Sequence, residues 1–64
     1  MDIPTARFLK MRMTQARLAR KAGLHASRLN SIEKGLVTPR DDERGKIERV
    51  LGMPIEWAED HRNE

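Results

Sequence analysis

The side chains of this chain that carry chemistry are mostly fixed positive charges, not nucleophiles or metal ligands. Thirteen lysines and arginines face ten acids, for a net charge of +3. Their placement is uneven. From Ile3 to Ile32 there is no Asp or Glu, while Arg7, Lys10, Arg12, Arg17, Arg20, Lys21 and Arg28 fall there; from Glu33 onward nine acids outweigh six bases. An acid-free basic half suits a polyanionic partner, but charge alone does not separate that from a solvated basic face. Catalysis has less to stand on. The chain has no cysteine, which removes thiolate catalysis, thiolate metal sites and disulfides together. His25 and His61 belong to no Ser–His–Asp order, paired-carboxylate motif, phosphate-cradling glycine loop or metal-ligand spacing. The expectation is a non-enzyme without metal or cofactor.

The elements that must position these cations are marked by proline and glycine. Sixty-four residues make one domain at most, and a chain this short is of marginal stability. Pro4 opens a first helix running to about Met11, with Phe8 and Leu9 as its apolar residues. Thr14 caps a second helix, Gln15 to Ala22, whose stripe is Leu18, Ala19 and Ala22. Gly23 makes the turn. A third helix, Ala26 to Glu33, sets Leu29 and Ile32 on one face, and Gly35 stops it. A fourth, Arg40 to Leu51, carries Asp41, Asp42 and Glu43 in its first turn, where acids favour the positive end of the dipole. Its stripe is Ile47, Val50 and Leu51. After Gly52, Pro54 opens a short last helix with Ile55, Trp57 and Ala58, and a polar tail follows from Glu59 to Glu64. The expected fold is all-α, a compact five-helix bundle. The start lacks the order of a signal peptide and the apolar runs are too short for a membrane span, so the expected location is cytoplasmic.

The run Thr14-Gln15, Leu18-Ala19, Gly23, then Leu29, Ile32-Glu33 and Gly35, resembles the phage Cro and phage-repressor helix-turn-helix family. Pro39, Ile47, Leu51-Gly52 and Trp57 extend the likeness over roughly residues 5 to 58, with the helix-turn-helix at about 14–35. The resemblance implies a lambda-repressor-like DNA-binding domain whose third helix enters the major groove N-terminus first. Departures are visible too. The recognition-helix cap is His25, a poorer cap than Ser or Thr. The fourth helix has charge near Asp41 and Arg44 where the family carries leucine, and Leu36 and Val37 are apolar where the family is commonly polar.

The same resemblance assigns roles. Ala26, Ser27, Arg28 and Ser31 lie nearest the base edges, with Asn30 one place from the groove-facing positions as an adenine reader, and Arg28 leads because a guanidinium can bond O6 and N7 of guanine together. Its bland alternative is a phosphate contact or a solvated side chain; in either case its loss should spare the fold, because it lies off the Leu29/Ile32 stripe. Gln15 matches the family glutamine that holds a phosphate at a helix N-terminus. Arg12, Arg17, Lys34 and Arg40 suit further phosphate contacts, though each could be exposed charge only. Glu33 sits where the family keeps a structural glutamate paired with a first-helix base, Lys10 ahead of Arg7. Leu36, Val37, Ile55 and Trp57 are the candidate dimer surface, although a lone tryptophan such as Trp57 is more often core than interface.

The function expected is a transcriptional regulator, a repressor or Cro-like protein of phage or mobile-element type. It would bind a pseudo-palindromic double-stranded operator as a homodimer, with no small-molecule ligand, since the chain ends where a sensor domain would begin. The alternatives are a protein-binding helix-turn-helix, such as an antitoxin or antiactivator, and a DNA-bending recombination accessory factor. The acid-free first three helices argue against a protein-binding role.

Overall fold

In the computed structural model, which describes residues 1–57, the order is α1 (Ile3–Leu9), α2 (Gln15–Ala22), α3 (Ala26–Glu33) and α4 (Asp41–Leu51). Each start has a local cause. Asp2 accepts the Thr5 N–H at 2.9 Å and Pro4 occupies the first turn of α1, where its missing N–H costs nothing. Thr14 Oγ1 accepts the Arg17 N–H at 3.1 Å at the head of α2. His25 makes no such bond at the head of α3. At α4 the Glu43 carboxylate reaches back to accept the Arg40 N–H at 2.8 Å, satisfying a donor of the helix start.

Helix α2 is the centre of the packing, touching α1, α3 and α4. Its Leu18, Ala19 and Ala22 meet Leu29 and Ile32 of α3, Ile47 and Leu51 of α4, and Ile3 and Ala6 of α1 in one buried cluster closed by Ile55. The small Ala19 and Ala22 fit the center of such a short bundle, where three helices converge on one stripe. No described helix is long and apolar enough to cross a membrane.

Three expectations need correction. The bundle has four helices among the described residues, not five. Residues 54–57 do not coil: the Ile55 N–H and Trp57 Nε1 both donate to Glu48 Oε2 at 3.1 Å, and the Glu56 N–H donates to the Met1 carbonyl at 2.9 Å. These anchors lay the segment across the N-terminus and the flank of α4. Ala58, the last residue placed in that fifth helix, and the polar tail lie outside the described residues.

Helix α1 ends two residues early, at Leu9, because Met11 and Arg12 both adopt φ of 59°, a left-handed conformation that ends a right-handed helix. Its buried residues are Ile3 and Ala6, whereas Phe8 is 60% and Leu9 57% exposed. The Arg12 guanidinium lies 5.5 Å from the Phe8 ring centroid.

Two glycines should respond oppositely to alanine. Gly23 has φ of +74° with open space around it, so its constraint is conformational and Gly23→Ala should cost about 1 kcal/mol. Gly45 lies inside α4, also with open space where a Cβ would go, and Gly45→Ala should stabilise by about 0.5–1 kcal/mol. Urea denaturation followed by circular dichroism distinguishes the two signs.

Candidate nucleic-acid interface

The exposed side of α3 is fixed from two directions. On one side the Glu33 carboxylate receives Arg7 Nε at 2.9 Å, Arg7 Nη2 at 2.9 Å and Gln15 Nε2 at 3.0 Å, while Arg7 Nη1 also donates to the Met13 carbonyl at 3.1 Å. Gln15 Nε2 further donates to Asn30 Oδ1 at 3.2 Å. One carboxylate thus binds α1, the head of α2 and the end of α3. The helix-1 base is Arg7, not Lys10. Lys10 sits past the end of α1 and reaches towards Gly52 instead, and only a guanidinium supplies two parallel donors to one carboxylate.

On the other side Arg28 donates from Nε and Nη2 to Glu43 at 3.0 and 2.9 Å. Glu43 is only 2% exposed, in the first turn of α4 where the sequence has too few apolar residues for a core. The Arg28 hydrogen bonds bring the Glu43 carboxyl down to about 2; burial opposes them, and the Arg40 N–H and the Arg28 and Arg40 charges assist. The same pairing moves the Arg28 guanidinium further up. Sequence reasoning did not find this pair. The available signal was an acid three residues after a helix start, in a turn that otherwise lacks a packing residue.

The expected readers therefore divide. Ala26 and Ser27 are exposed and Ser31 half-buried, and none of the three side chains is committed to a hydrogen bond among the described residues. Asn30 is engaged with Gln15, so Gln15 holds a neighbouring reader as well as standing at the head of α2. Arg28 gives two of its N–H groups to Glu43; a guanidinium has five, and three remain on a side chain that is partly exposed.

The cations expected at phosphates are spread around this face. Arg17 and Lys34 are exposed and in no ion pair among the described residues. Arg12 stacks on Phe8, and Arg40 lies near Asp42 at 3.3 Å. The face offers the small hydroxyls of Ser27 and Ser31, with Arg17 and Lys34 as exposed cations nearby in the chain, a surface suited to an extended anion with a polar edge to read. No group of three His, Cys, Asp or Glu among the described residues could hold a metal ion.

The four residues expected at a dimer surface do not lie together as free apolar area. Ile55 is in the core, Val37 and Trp57 pack partly against it, and Leu36 alone is widely open at 71% exposure. The Trp57 ring lies 5.9 Å from the Arg44 guanidinium carbon, and its N–H is bonded to Glu48. Ile55 is therefore a packing residue of the subunit.

Comparison with known proteins agrees with this geometry. A family model described as helix-turn-helix matches residues 6–57. No curated protein and no solved structure matches the chain.

The Arg28–Glu43 pair reverses the expectation that Arg28 is dispensable to the fold. Arg28→Ala leaves a buried carboxylate short of its main partner and should lower stability, whereas Arg28→Met with Glu43→Leu should recover most of it. Folding lowers the Glu43 pKa, so its stabilisation is complete above the ordinary carboxyl value of 4.5 and is lost as pH falls towards 2. Melting temperatures from pH 6 to 2 should fall more steeply for the wild type than for the double variant; parallel curves would contradict the assignment.

Proposed function

Since the chain belongs to the helix-turn-helix family over residues 6–57, a DNA-binding fold, we propose that it is a sequence-specific transcriptional regulator of the Cro-repressor kind. The observation that carries this reading is the α3 surface. Its exposed face is uncommitted at Ala26, Ser27 and Ser31, and the helix is tied to its neighbours through Glu33 (by Arg7 and Gln15) and through Arg28 (by Glu43). A reader held this rigidly loses little freedom on binding.

In the proposed complex α3 lies in the major groove. Ser27 and Ser31 donate to or accept from base edges, and Ala26 meets a thymine methyl. Arg28 turns its outer N–H groups to a guanine while Glu43 keeps hold of the inner pair, so base contact and fold contact coexist in one side chain. Asn30 contributes through whatever part of its amide Gln15 leaves free. Gln15, Arg12, Arg17, Lys34 and Arg40 hold phosphates on either side, fixing register without reading sequence.

One α3 spans only about four or five base pairs, so useful selectivity calls for two subunits on a pseudo-palindrome one helical turn apart. The proposed homodimer contact centres on Leu36, with the exposed edges of Val37 and Trp57. So small a patch implies weak association, completed on the operator and acting by occupancy of DNA.

The test begins with selection of the preferred site from a random duplex pool and titration by fluorescence anisotropy. Log K should fall linearly with log salt, about 0.9 per phosphate contact, and Lys34→Ala should reduce that slope by about one while weakening selected and random DNA alike. Arg28→Lys keeps a charge beside Glu43 but loses the forked donor, and should cost about 1–3 kcal/mol on the selected site with a smaller effect on random DNA. A flat salt response refutes the DNA reading, and equal losses on both DNAs would remove Arg28 from base recognition.

A further inference from the structure

A relay of hydrogen bonds runs from α1 to the open side of α3. Arg7 donates twice to the Glu33 carboxylate, and Glu33 Oε1 also accepts from Gln15 Nε2 at 3.0 Å. The same Gln15 nitrogen donates to Asn30 Oδ1 at 3.2 Å. An amide has a donor end and an acceptor end, and an unrestrained Asn on a helix can present either. Here neither amide is free to turn over. A carboxylate only accepts, so Gln15 must show Glu33 its NH2 end; a reversed Gln15 sets oxygen against oxygen and loses both bonds. Asn30 must then answer the second Gln15 N–H with its oxygen, because a reversed Asn30 sets nitrogen against nitrogen.

What is left over has one polarity at each residue. Asn30 Nδ2 and Gln15 Oε1 have no hydrogen-bond partner among the described residues, and neither atom is sealed from solvent. Asn30 follows Ala26 by four residues and Ser27 by three, which makes it their neighbour on the surface of α3. Both of those residues are small and exposed, so a base edge can approach Asn30 past them.

We infer that Asn30 reads DNA as a donor alone: its Nδ2 selects a keto base, through guanine O6 or thymine O4, and Gln15 is the positioning residue that enforces this choice. Recognition of adenine by Asn needs both ends of the amide at once, Oδ1 accepting from N6 and Nδ2 donating to N7. Gln15 occupies the first of these, so the adenine contact suggested by the residue type alone is excluded. Against adenine N6 or cytosine N4 the outer N–H of Asn30 meets another donor and stays unpaired where water is displaced. Gln15 in turn has both side-chain N–H groups engaged. Its phosphate contact therefore falls to its backbone N–H, which as the first of α2 has no acceptor within the helix.

This inference rests on the DNA-binding reading, and the experiment separates the two. Duplex sites are selected from a random pool with the wild type, Asn30→Ala, Asn30→Asp and Gln15→Ala, each checked for folding by circular dichroism. The base pair whose preference relaxes in Asn30→Ala is the one Asn30 meets. Asn30→Asp still accepts from Gln15 but turns an oxygen outward. At that position it should select a different pair, and bind its own site about tenfold tighter than the wild-type site. Comparing two sites within one variant cancels the general repulsion between the added charge and phosphate. Gln15→Ala frees the Asn30 amide to turn over, and should admit adenine where the wild type demands a keto base; if Asn30→Asp does not fold, this variant decides alone. Retention of the wild-type pair by Asn30→Asp, or an unchanged preference in Gln15→Ala, overturns the inference and leaves the DNA reading standing. So does an Asn30→Ala variant that weakens all duplexes alike, which would put Asn30 on a phosphate. A wild type that enriches no site overturns the DNA reading itself, and this inference with it.

Discussion

Three N–H groups from two different helices converge on the Glu33 carboxylate, and the position of α3 follows from them. Arg7 brings the end of α1 and Gln15 the head of α2 to one point at the last turn of α3. Hydrophobic burial alone would hold three short helices together without fixing how far each rotates, because Leu18, Leu29 and Ile32 tolerate small sliding. Charge-assisted bonds of 2.9 to 3.0 Å do not. A buried ion pair adds little net stability once desolvation is counted, so the contribution of this one lies in geometry. With Glu33 and Glu43 both engaged, α3 is held near each end, and its solvent face is presented in one orientation.

Two more acids, Glu43 and Glu48, are used in a similar manner. Glu33 and Glu43 turn inward to arginines, and Glu48 takes up the Ile55 N–H and the Trp57 indole N–H. Each ties its helix to a neighbouring segment, and each is largely withdrawn from solvent or already balanced by donors. The charge left facing outward on α2 and its flanks is positive. Internal bracing and external electrostatics are therefore two results of one distribution of charge along the chain.

Much of this was legible before any coordinates. The Thr14 cap, the Gly23 turn and the Leu18/Ala19/Ala22 stripe locate α2 at the bounds observed, and α3 likewise runs from Ala26 to Glu33. Local signals of that kind are written in a few adjacent residues. What escaped was decided by partners far away in sequence. Whether Glu33 chose Lys10 or Arg7 depended on where α1 ended, and that depended on Met11 and Arg12 entering a conformation that neither residue type favours. Glu43 read as a dipole-facing acid like Asp41 and Asp42; only the approach of α3 made it a buried partner of Arg28. Pro54 gave a valid helix-start signal, yet Glu48 and Met1 captured the donors of the residues after it.

Trp57 is the single tryptophan and the chain has no tyrosine, so near-ultraviolet emission from this protein comes essentially from one ring. That ring belongs to the segment laid across α4, with its indole N–H on Glu48 and a guanidinium beside its face. Its brightness and colour therefore track whether the C-terminal strap is docked, a different event from loss of the helices. Polar neighbours and a cation 5.9 Å from the ring centroid are efficient modifiers of an excited indole, and both depart when the strap lifts. An optical melt and a helical melt of the same sample need not coincide, and their separation would measure how independently the strap lets go.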